Sequence, residues 1–403
     1  MIIGRDIVVI GIQPWDIEIG SNCKNIAEEM AKYNRVLYVN SPLDRNTKKN
    51  KKDDPKIQKR LDIIAGKQKS IESVTTNLWN LYPKNMVESI NWIPDGVLYD
   101  FINKQNNSKF ADDIKSAIKQ LGFKNIILFN DSSMFLGLYL KELLKPSVYV
   151  YYMRDYLTKN PYWRKHGLRL EPILVEKSDV VVNNSTLYAE YGQQFNKHSY
   201  MVGQGCDVKL FTDSNNSIKI AEDMLEIPKP VIGYVGFLSS RRLDINLLIH
   251  MAKQRPQWSI VLVGPEDDNF KSSELHQLKN VYFLGSRDGN VLPSYIKSFD
   301  VAINPQLIND ATMGNYPRKI DEYLAMGKPT VGSATKAMEY FKNDTYLATT
   351  HDEWVECIDK AIEEDNELLR MNRIACGTSH SWETNVKEIF KYVECFENNW
   401  KDC

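Results

Sequence analysis

The sequence predicts an α/β chain built from two doubly wound, Rossmann-like domains facing across a cleft. Three observations predict it. Short apolar runs of strand length recur along the whole chain, and the segments between them carry apolar residues at helical spacing. The runs are continuous rather than alternating, which suits parallel strands buried on both faces. At 403 residues the chain exceeds what one compact core organises, and the rhythm divides into two sets.

In the first set the runs are DIVVIGI (6–12), VLYVNSP (36–42), NIILFND (125–131), VYVYYM (148–153) and DVVVNNS (179–185). Between the first two, NCKNIAEEMAKY (22–33) has a helical apolar pattern with Ser21 or Asn22 as its cap, so Gly20-Ser21 opens the helix. The segment 46–60, NTKKNKKDDPKIQKR, carries seven basic residues against two acids and no apolar periodicity. It reads as a solvated mobile loop. The sharper reading is a surface for anionic lipid head groups or an anionic acceptor, with Trp79, Trp92 and Ile93 as interfacial contacts.

The second set is PVIGYVGF (230–237), SIVLVGP (259–265), NVYFLGS (280–286), DVAINPQ (300–306) and KPTVGSA (328–334). INLLIHMAKQ, VLPSYIKSF and PRKIDEYLAM supply its helices. The connection between the sets runs through 207–230, where SNNS and the Pro228/Pro230 pair break the pattern. A last helix, about 382–397, follows a cap at Ser379 or Ser381. The domains are therefore 1–207, which receives the terminal segment 380–403, and 208–379.

Acidic and basic residues nearly cancel, with a formal net charge of -1, which argues against a nucleic-acid partner. The six cysteines are scattered, without CxxC or zinc spacing, as in a reduced, cytoplasmic protein. The apolar run at 7–12 is a strand in length rather than a signal-peptide core, and no stretch approaches the roughly 20 apolar residues of a spanning helix. Work at a membrane would be on its surface, at the inner face.

Ligand groups in doubly wound domains come from the carboxyl ends of the strands. In the second domain these are Gly236 with the following FLSSRRLD, Gly264-Pro265, Gly285-Ser286-Arg287 and the Gly314-Asn315 turn before Pro317. Arg241 or Arg242 offers a donor fork for diphosphate oxygens. NYPRKIDEYLAMGKPTV (315–331) adds a helix with Pro317 at its first position, a buried stripe of Ile320, Tyr323 and Leu324, and a stop at Gly327. Lys319 and Glu322 share one face, a lysine for phosphate and a carboxylate for ribose hydroxyls, so together they fit a nucleoside diphosphate. An ordinary surface pair on an amphipathic helix is the bland alternative. Asp267-Asp268 is adjacent rather than a spaced DxD, and reads as a solvated loop.

PRKIDEYLAMGKPTV (317–331), GYVGFLSSRRLD (233–244), NVYFLGS (280–286), EKSDVVVNNSTLYAE (176–190), VGQGCDVKLF (202–211) and HSWETNVKEIF (380–390) resemble the GT-B fold retaining glycosyltransferases, in the family 4 and TuaH-like groups. The resemblance implies that Glu322 holds the donor ribose, that Lys319 and Arg242 neutralise the diphosphate, and that backbone at Ser286-Arg287 meets the base. It also implies that the Gly20-Ser21 loop closes over the phosphates and that the last helix crosses back onto the first domain. In the family an earlier glutamate stands eight residues before the one matching Glu322; here that position is Gly314. Sugar recognition then falls to Asn315 or backbone amides. A lysine common after the phosphate-loop arginine is also missing, which leaves the roles of Arg241 and Arg242 open.

The expected activity is a retaining, metal-independent hexosyl transfer from a UDP- or GDP-sugar to a saccharide or lipid-linked acceptor of envelope or capsular polysaccharide, with no cofactor. Fixed cations on the departing diphosphate supply the stabilisation. Asp155, just past a strand end, is the first choice to orient or deprotonate the acceptor hydroxyl, with an ion pair to Arg154 as its structural alternative; Asp16 is second. A nucleotide-sugar epimerase and a non-catalytic nucleotide-sugar-binding scaffold share the architecture. Oligomeric state is left open.

Overall fold

A computed structural model describes residues 1–17, 20–213, 217–309 and 312–399. The chain divides into one unit of Met1–Gly203 with Trp382–Cys403, and a second of Gln204–Ser381. The first unit's sheet holds β1 (Asp6–Gly11), β2 (Arg35–Asn40), β3 (Ile71–Ser73), β4 (Leu78–Leu81), β5 (Ile127–Asp131), β6 (Val148–Met153), β7 (Val180–Asn183) and β8 (Ser199–Met201). Their order is β3-β4-β2-β1-β5-β6-β7-β8, parallel except for β3 against β4. The second holds β9 (Val231–Val235), β10 (Ser259–Val263), β11 (Val281–Gly285), β12 (Val301–Asn304), β13 (Thr330–Ser333) and β14 (Tyr346–Ala348), ordered β11-β10-β9-β12-β13-β14 and parallel throughout.

Every apolar run of the sequence becomes a strand. The reason is burial on both faces: Ile7, Val8, Val9 and Ile10 of β1 are all inaccessible, with alternate members in the two core layers of the unit. At about 1.5–3 kcal/mol for each fully buried aliphatic side chain, such a run has no other stable place. β3, β4, β8 and β14, of three or four residues each, were not legible from the sequence. They lie at or next to the sheet edges, where one-sided packing leaves too few apolar residues for a pattern.

The helix Asn22–Met30 starts at Ser21, whose hydroxyl accepts the Lys24 N–H at 3.5 Å. The last helix, Trp382–Glu397, buries Val386, Ile389, Phe390 and Val393 against the first sheet's core. Tyr392 stacks on Tyr200 at 3.9 Å, and Arg5 pairs with Glu397 at 2.9 Å. Asn385 Nδ2 donates to the carbonyls of Val202 and Gly203, both at 3.0 Å.

Several expectations change. The segment 46–60 is helical rather than a loop: Asp44 caps Arg45–Asn50, and Asp54 caps Pro55–Ile64 with Pro55 in its first turn. The acid-proline pair Asp54-Pro55 is a start signal. Lys59 pairs with Glu72 and Arg60 approaches Asp16, while Lys48, Lys49, Lys51 and Lys52 stay exposed. Of the proposed interfacial side chains, Ile93 is in the core and Trp79 packs against it; Trp92 is 76% exposed. The stretch 207–230 is no free connection, since Phe211 and Met224 are buried in the second unit's core. Of SNNS, residues 214–216 lie outside the described residues. The division falls at 203/204, and just beyond it the Cys206 N–H bonds the His380 carbonyl at 2.8 Å within the second unit. Asp267 caps a short helix rather than lying in a loose loop. Cys23, Cys206, Cys357 and Cys376 are free, whereas Cys395 is disulfide-bonded, against the expectation of a fully reduced set.

Candidate active site

A cavity of about 620 Å³ opens in the second unit beyond the carboxyl ends of β9 and β12. Two glycines shape its floor. β9 runs into Gly236, held at φ 137°, and a Cβ on Gly264 would sit 2.0 Å from the Gly236 carbonyl oxygen, so the chain passes there only without a side chain. The wall opposite is the helix Lys319–Ala325. It is seven residues long and begins after Arg318, so Pro317 precedes it rather than opening it. The expected stripe holds: Ile320, Tyr323 and Leu324 are fully buried. Tyr323 Oη accepts the Val235 N–H at 3.0 Å and ties the helix to the end of β9. Gly327, at φ 71°, closes the helix as predicted.

With that stripe inward, Arg318, Lys319 and Glu322 line the cavity. Lys319 Nζ donates to Tyr234 Oη at 3.1 Å and lies 4.7 Å from the centre of that ring. Glu322 is 8% exposed and accepts from Arg318 Nε at 3.2 Å. Burial raises the Glu322 pKa, and the neighbouring charges of Arg318 and Lys319 oppose the rise. Arg242 completes the charged set, so three cations and one carboxylate are found among the described lining residues. Gln306 also lines the cavity, buried, with an Oε1 that has no hydrogen-bond partner.

Of the residues named from sequence, Glu322, Lys319, Arg242, Gly236 and Asn315 come together here. Gly314 is buried beside Asn315 but outside the lining, and Arg241 is exposed outside it. Ser286 is exposed; Arg287 is committed to Asp223 at 2.9 Å and to Tyr295 Oη at 2.5 Å. Gly20 is exposed and Ser21 is the helix cap already described, both in the first unit. Arg318, Tyr234 and Gln306 were missed. The four-residue spacing of Arg318 to Glu322 is the signal that could have found the first; the other two carried none.

In the first unit, β5 and β6 end on a charged cluster. Arg154 reaches the buried Asp131 through Nε (2.7 Å) and Nη2 (3.2 Å), and Asp155 through Nη1 (2.8 Å). The ion pair expected as an alternative for Asp155 is formed, and its side chain remains 46% exposed. Asp16 lies 3.6 Å from Arg60, and its Oδ1 has no hydrogen-bond partner.

A larger hollow of about 1120 Å³ in the second unit, lined by Lys229, Pro230, Asp300 and Lys328, lies at the opposite ends of β9, β12 and β13. That end of a parallel sheet is not where such folds bind ligands. Among the described residues, no group of three or more His, Cys, Asp or Glu is placed to hold a metal ion, and no helix is long and apolar enough to cross a membrane.

Residues 229–364, which contain this cavity's β-strands and helix, match the family described as Glycosyl transferases group 1. TuaH of Bacillus subtilis (strain 168), named as a teichuronic acid biosynthesis glycosyltransferase, is 28% identical over 170 residues, 40% of this chain and 43% of TuaH. The match thus spans less than half of that relative's length. Among solved structures, sucrose-phosphate synthase of Thermosynechococcus elongatus superposes with a TM-score of 0.67 at 15% identity, covering 98% of this chain and 100% of that one. HepE of Anabaena in complex with UDP gives 0.67 at 16%, covering 97% and 99%. A UDP-forming trehalose-phosphate synthase of Burkholderia xenovorans gives 0.65 at 12%, covering all of both chains. The chain has the GT-B fold of these structures, and residues 229–364 of its second unit match the glycosyl transferases group 1 family.

Proposed function

We propose that the chain is a retaining hexosyltransferase of the family 4 type, moving a sugar from a UDP- or GDP-sugar to a saccharide or lipid-linked acceptor in envelope or capsular polysaccharide synthesis. The observation that carries this reading is the buried Glu322 in a cavity whose other charged lining groups, among the described residues, are the cations Arg242, Arg318 and Lys319. A desolvated carboxylate gains most from a ligand with two adjacent hydroxyls, and Arg242 and Lys319 suit the diphosphate that such a ribose carries. TuaH supports the envelope acceptor and HepE, seen with UDP, makes uracil the first base to try.

In this mechanism the bond between the anomeric carbon and the diphosphate oxygen breaks, and a bond from the acceptor hydroxyl oxygen to that carbon forms. Negative charge grows on the leaving diphosphate, where Arg242 and Lys319 stabilise it more in the transition state than in the ground state. These side chains replace a divalent cation. Backbone at Ser286-Arg287 meets the base, a role compatible with the Arg287 side chain being held elsewhere. Asn315 and the chain at Gly314 face the sugar. Asp155 orients the acceptor hydroxyl or takes its proton, with Asp16 as the second choice. The protein works in the cytoplasm at the inner membrane face, and 46–60 contacts anionic head groups.

The test is turnover of UDP- and GDP-sugars in the presence of EDTA, with the anomeric configuration of the transferred or released sugar read by proton NMR. Retained configuration is expected. Inversion, or activity that appears only with a divalent metal, overturns those parts, and nucleotide binding without turnover of any donor supports the scaffold reading instead.

A further inference from the structure

The surface beside a cavity of the first unit presents large apolar side chains to solvent. Trp92 is 76% exposed, Val97 89%, Leu98 61% and Phe101 59%, all within ten residues around the start of the helix Val97–Leu121. Scattered exposed hydrophobes are ordinary; four in so short a segment are not. Nor is the segment loosely held. Trp92 Nε1 donates to the Ser89 carbonyl at 2.8 Å, and Lys165 Nζ donates to the Trp92 carbonyl at 2.9 Å. Arg169 bridges Asp95 and Asp100, each at 2.7 Å, neutralising the two acids in the patch. The same helix, Pro161–Lys177, adds Tyr162 and Leu168, both more than half exposed, with Arg164 and Lys165 beside them.

This patch is continuous with the cavity, of about 990 Å³, because Trp92 and Tyr162 line it as well as facing solvent. Tyr99, Ile102, Phe135 and Trp163 line it together with Lys49 and with Arg45, which pairs with Glu88 at 2.6 Å. Lys48 and Lys52 are next to those two, around a small hollow of their own. Apolar side chains fixed in solvent, paired acids and unshielded lysines on one rim match an anionic lipid surface in both charge and polarity.

We propose that Trp92, Val97, Leu98, Phe101 and Leu168 penetrate an anionic bilayer, with Lys48, Lys49, Lys51 and Lys52 on its head groups, so that the aromatic cavity opens into the lipid. The inference deepens the proposed function: it names the penetrating residues and makes the bilayer the route by which a lipid-linked acceptor reaches the cavity.

Co-sedimentation of the full chain with vesicles of equal parts phosphatidylcholine and phosphatidylglycerol, and with phosphatidylcholine alone, tests it. Binding to the mixed vesicles is expected, and Leu98→Glu with Phe101→Glu is expected to weaken it about tenfold or more, the loss of two penetrating side chains. Brominated phosphatidylcholine in the mixed vesicles should quench tryptophan emission, and Trp92→Phe should lose most of that quenching. Both substitutions fall on exposed side chains, and unchanged circular dichroism checks the fold. The thermal shift by UDP should be the same in the double variant, which separates this inference from the donor reading. It is overturned by wild-type protein that ignores both vesicles, by a double variant that binds as the wild type, or by binding lost only when the four lysines become serine. A dimer in solution that the double variant abolishes, without vesicle binding, assigns the patch to a second copy and also overturns it.

Discussion

Glu171 lies in the helix Pro161–Lys177, is 3% exposed, and accepts a hydrogen bond from Tyr151 Oη at 2.8 Å. Burial raises its pKa from 4.5 to about 7, against the lowering effect of the Tyr151 hydroxyl. A carboxyl whose folded pKa lies above its unfolded one favours the fold fully below the unfolded value, and the benefit is lost as pH rises through the folded value. Glu171→Gln keeps the shape and the acceptor oxygen but cannot ionise. Its stability relative to wild type should therefore grow with pH, by about 2.5 kcal/mol between about pH 5 and about pH 8, with a plateau above. For a unit of this size that is roughly 5–10 °C in Tm. Thermal unfolding of both proteins across this range, followed by tyrosine and tryptophan fluorescence, reads it directly. A difference in Tm that does not change with pH would refute the reasoning, because it would mean Glu171 has the same pKa folded and unfolded.

The remaining predictions concern the charged sites. Gly236→Ala places a Cβ 3.0 Å from Tyr234 Oη and 3.4 Å from Lys319 Cε at φ 137°; it should cost about 1–3 kcal/mol of stability and weaken nucleotide binding in titration calorimetry. Arg242→Ala should weaken nucleotide binding while Arg241→Ala, outside the cavity lining, should not; equal losses would contradict the placement. Because burial raises the Glu322 pKa, the carboxylate that takes ribose hydroxyls is lost as pH falls through that raised value, so nucleotide affinity should drop on acidification and Glu322→Gln should flatten the profile. Arg154→Met leaves the inaccessible Asp131 unpaired and should destabilise the chain by about 3–5 kcal/mol, seen as a lowered Tm. Asp155→Asn should slow transfer without changing nucleotide affinity; unaltered turnover removes Asp155 from the mechanism.

The sheets were legible because their strands are buried on both faces, and such burial demands continuous apolar runs like DIVVIG and SIVLV. Edge strands such as β3 and β14 face that demand on one side and left no trace. The basic segment 46–60 misled because its charges hid two N-caps, Asp44 and Asp54, whose meaning depends on the helix that follows. At the site, Lys319 and Glu322 were readable from helical spacing and the buried stripe between them. Tyr234 and Gln306 were not, since a tyrosine inside a strand and a glutamine after one acquire their role only when β9, β12 and the helix Lys319–Ala325 converge. Arg287 looked like a ligand residue from its place after β11, yet Asp223, 64 positions away in sequence, holds it. Such long-range pairing is invisible to local pattern.

The proposed function stands on Glu322 and its cationic neighbours forming a nucleoside diphosphate site. Thermal shift and titration calorimetry with UDP, GDP, CDP, ADP and dTDP, metal-free, on wild type and Glu322→Ala, test it most directly. One nucleotide, UDP or GDP, is expected to stabilise the wild type, and Glu322→Ala is expected to lose this stabilisation while keeping its fold. Stabilisation by none of the five, or by one that binds Glu322→Ala equally well, would contradict it.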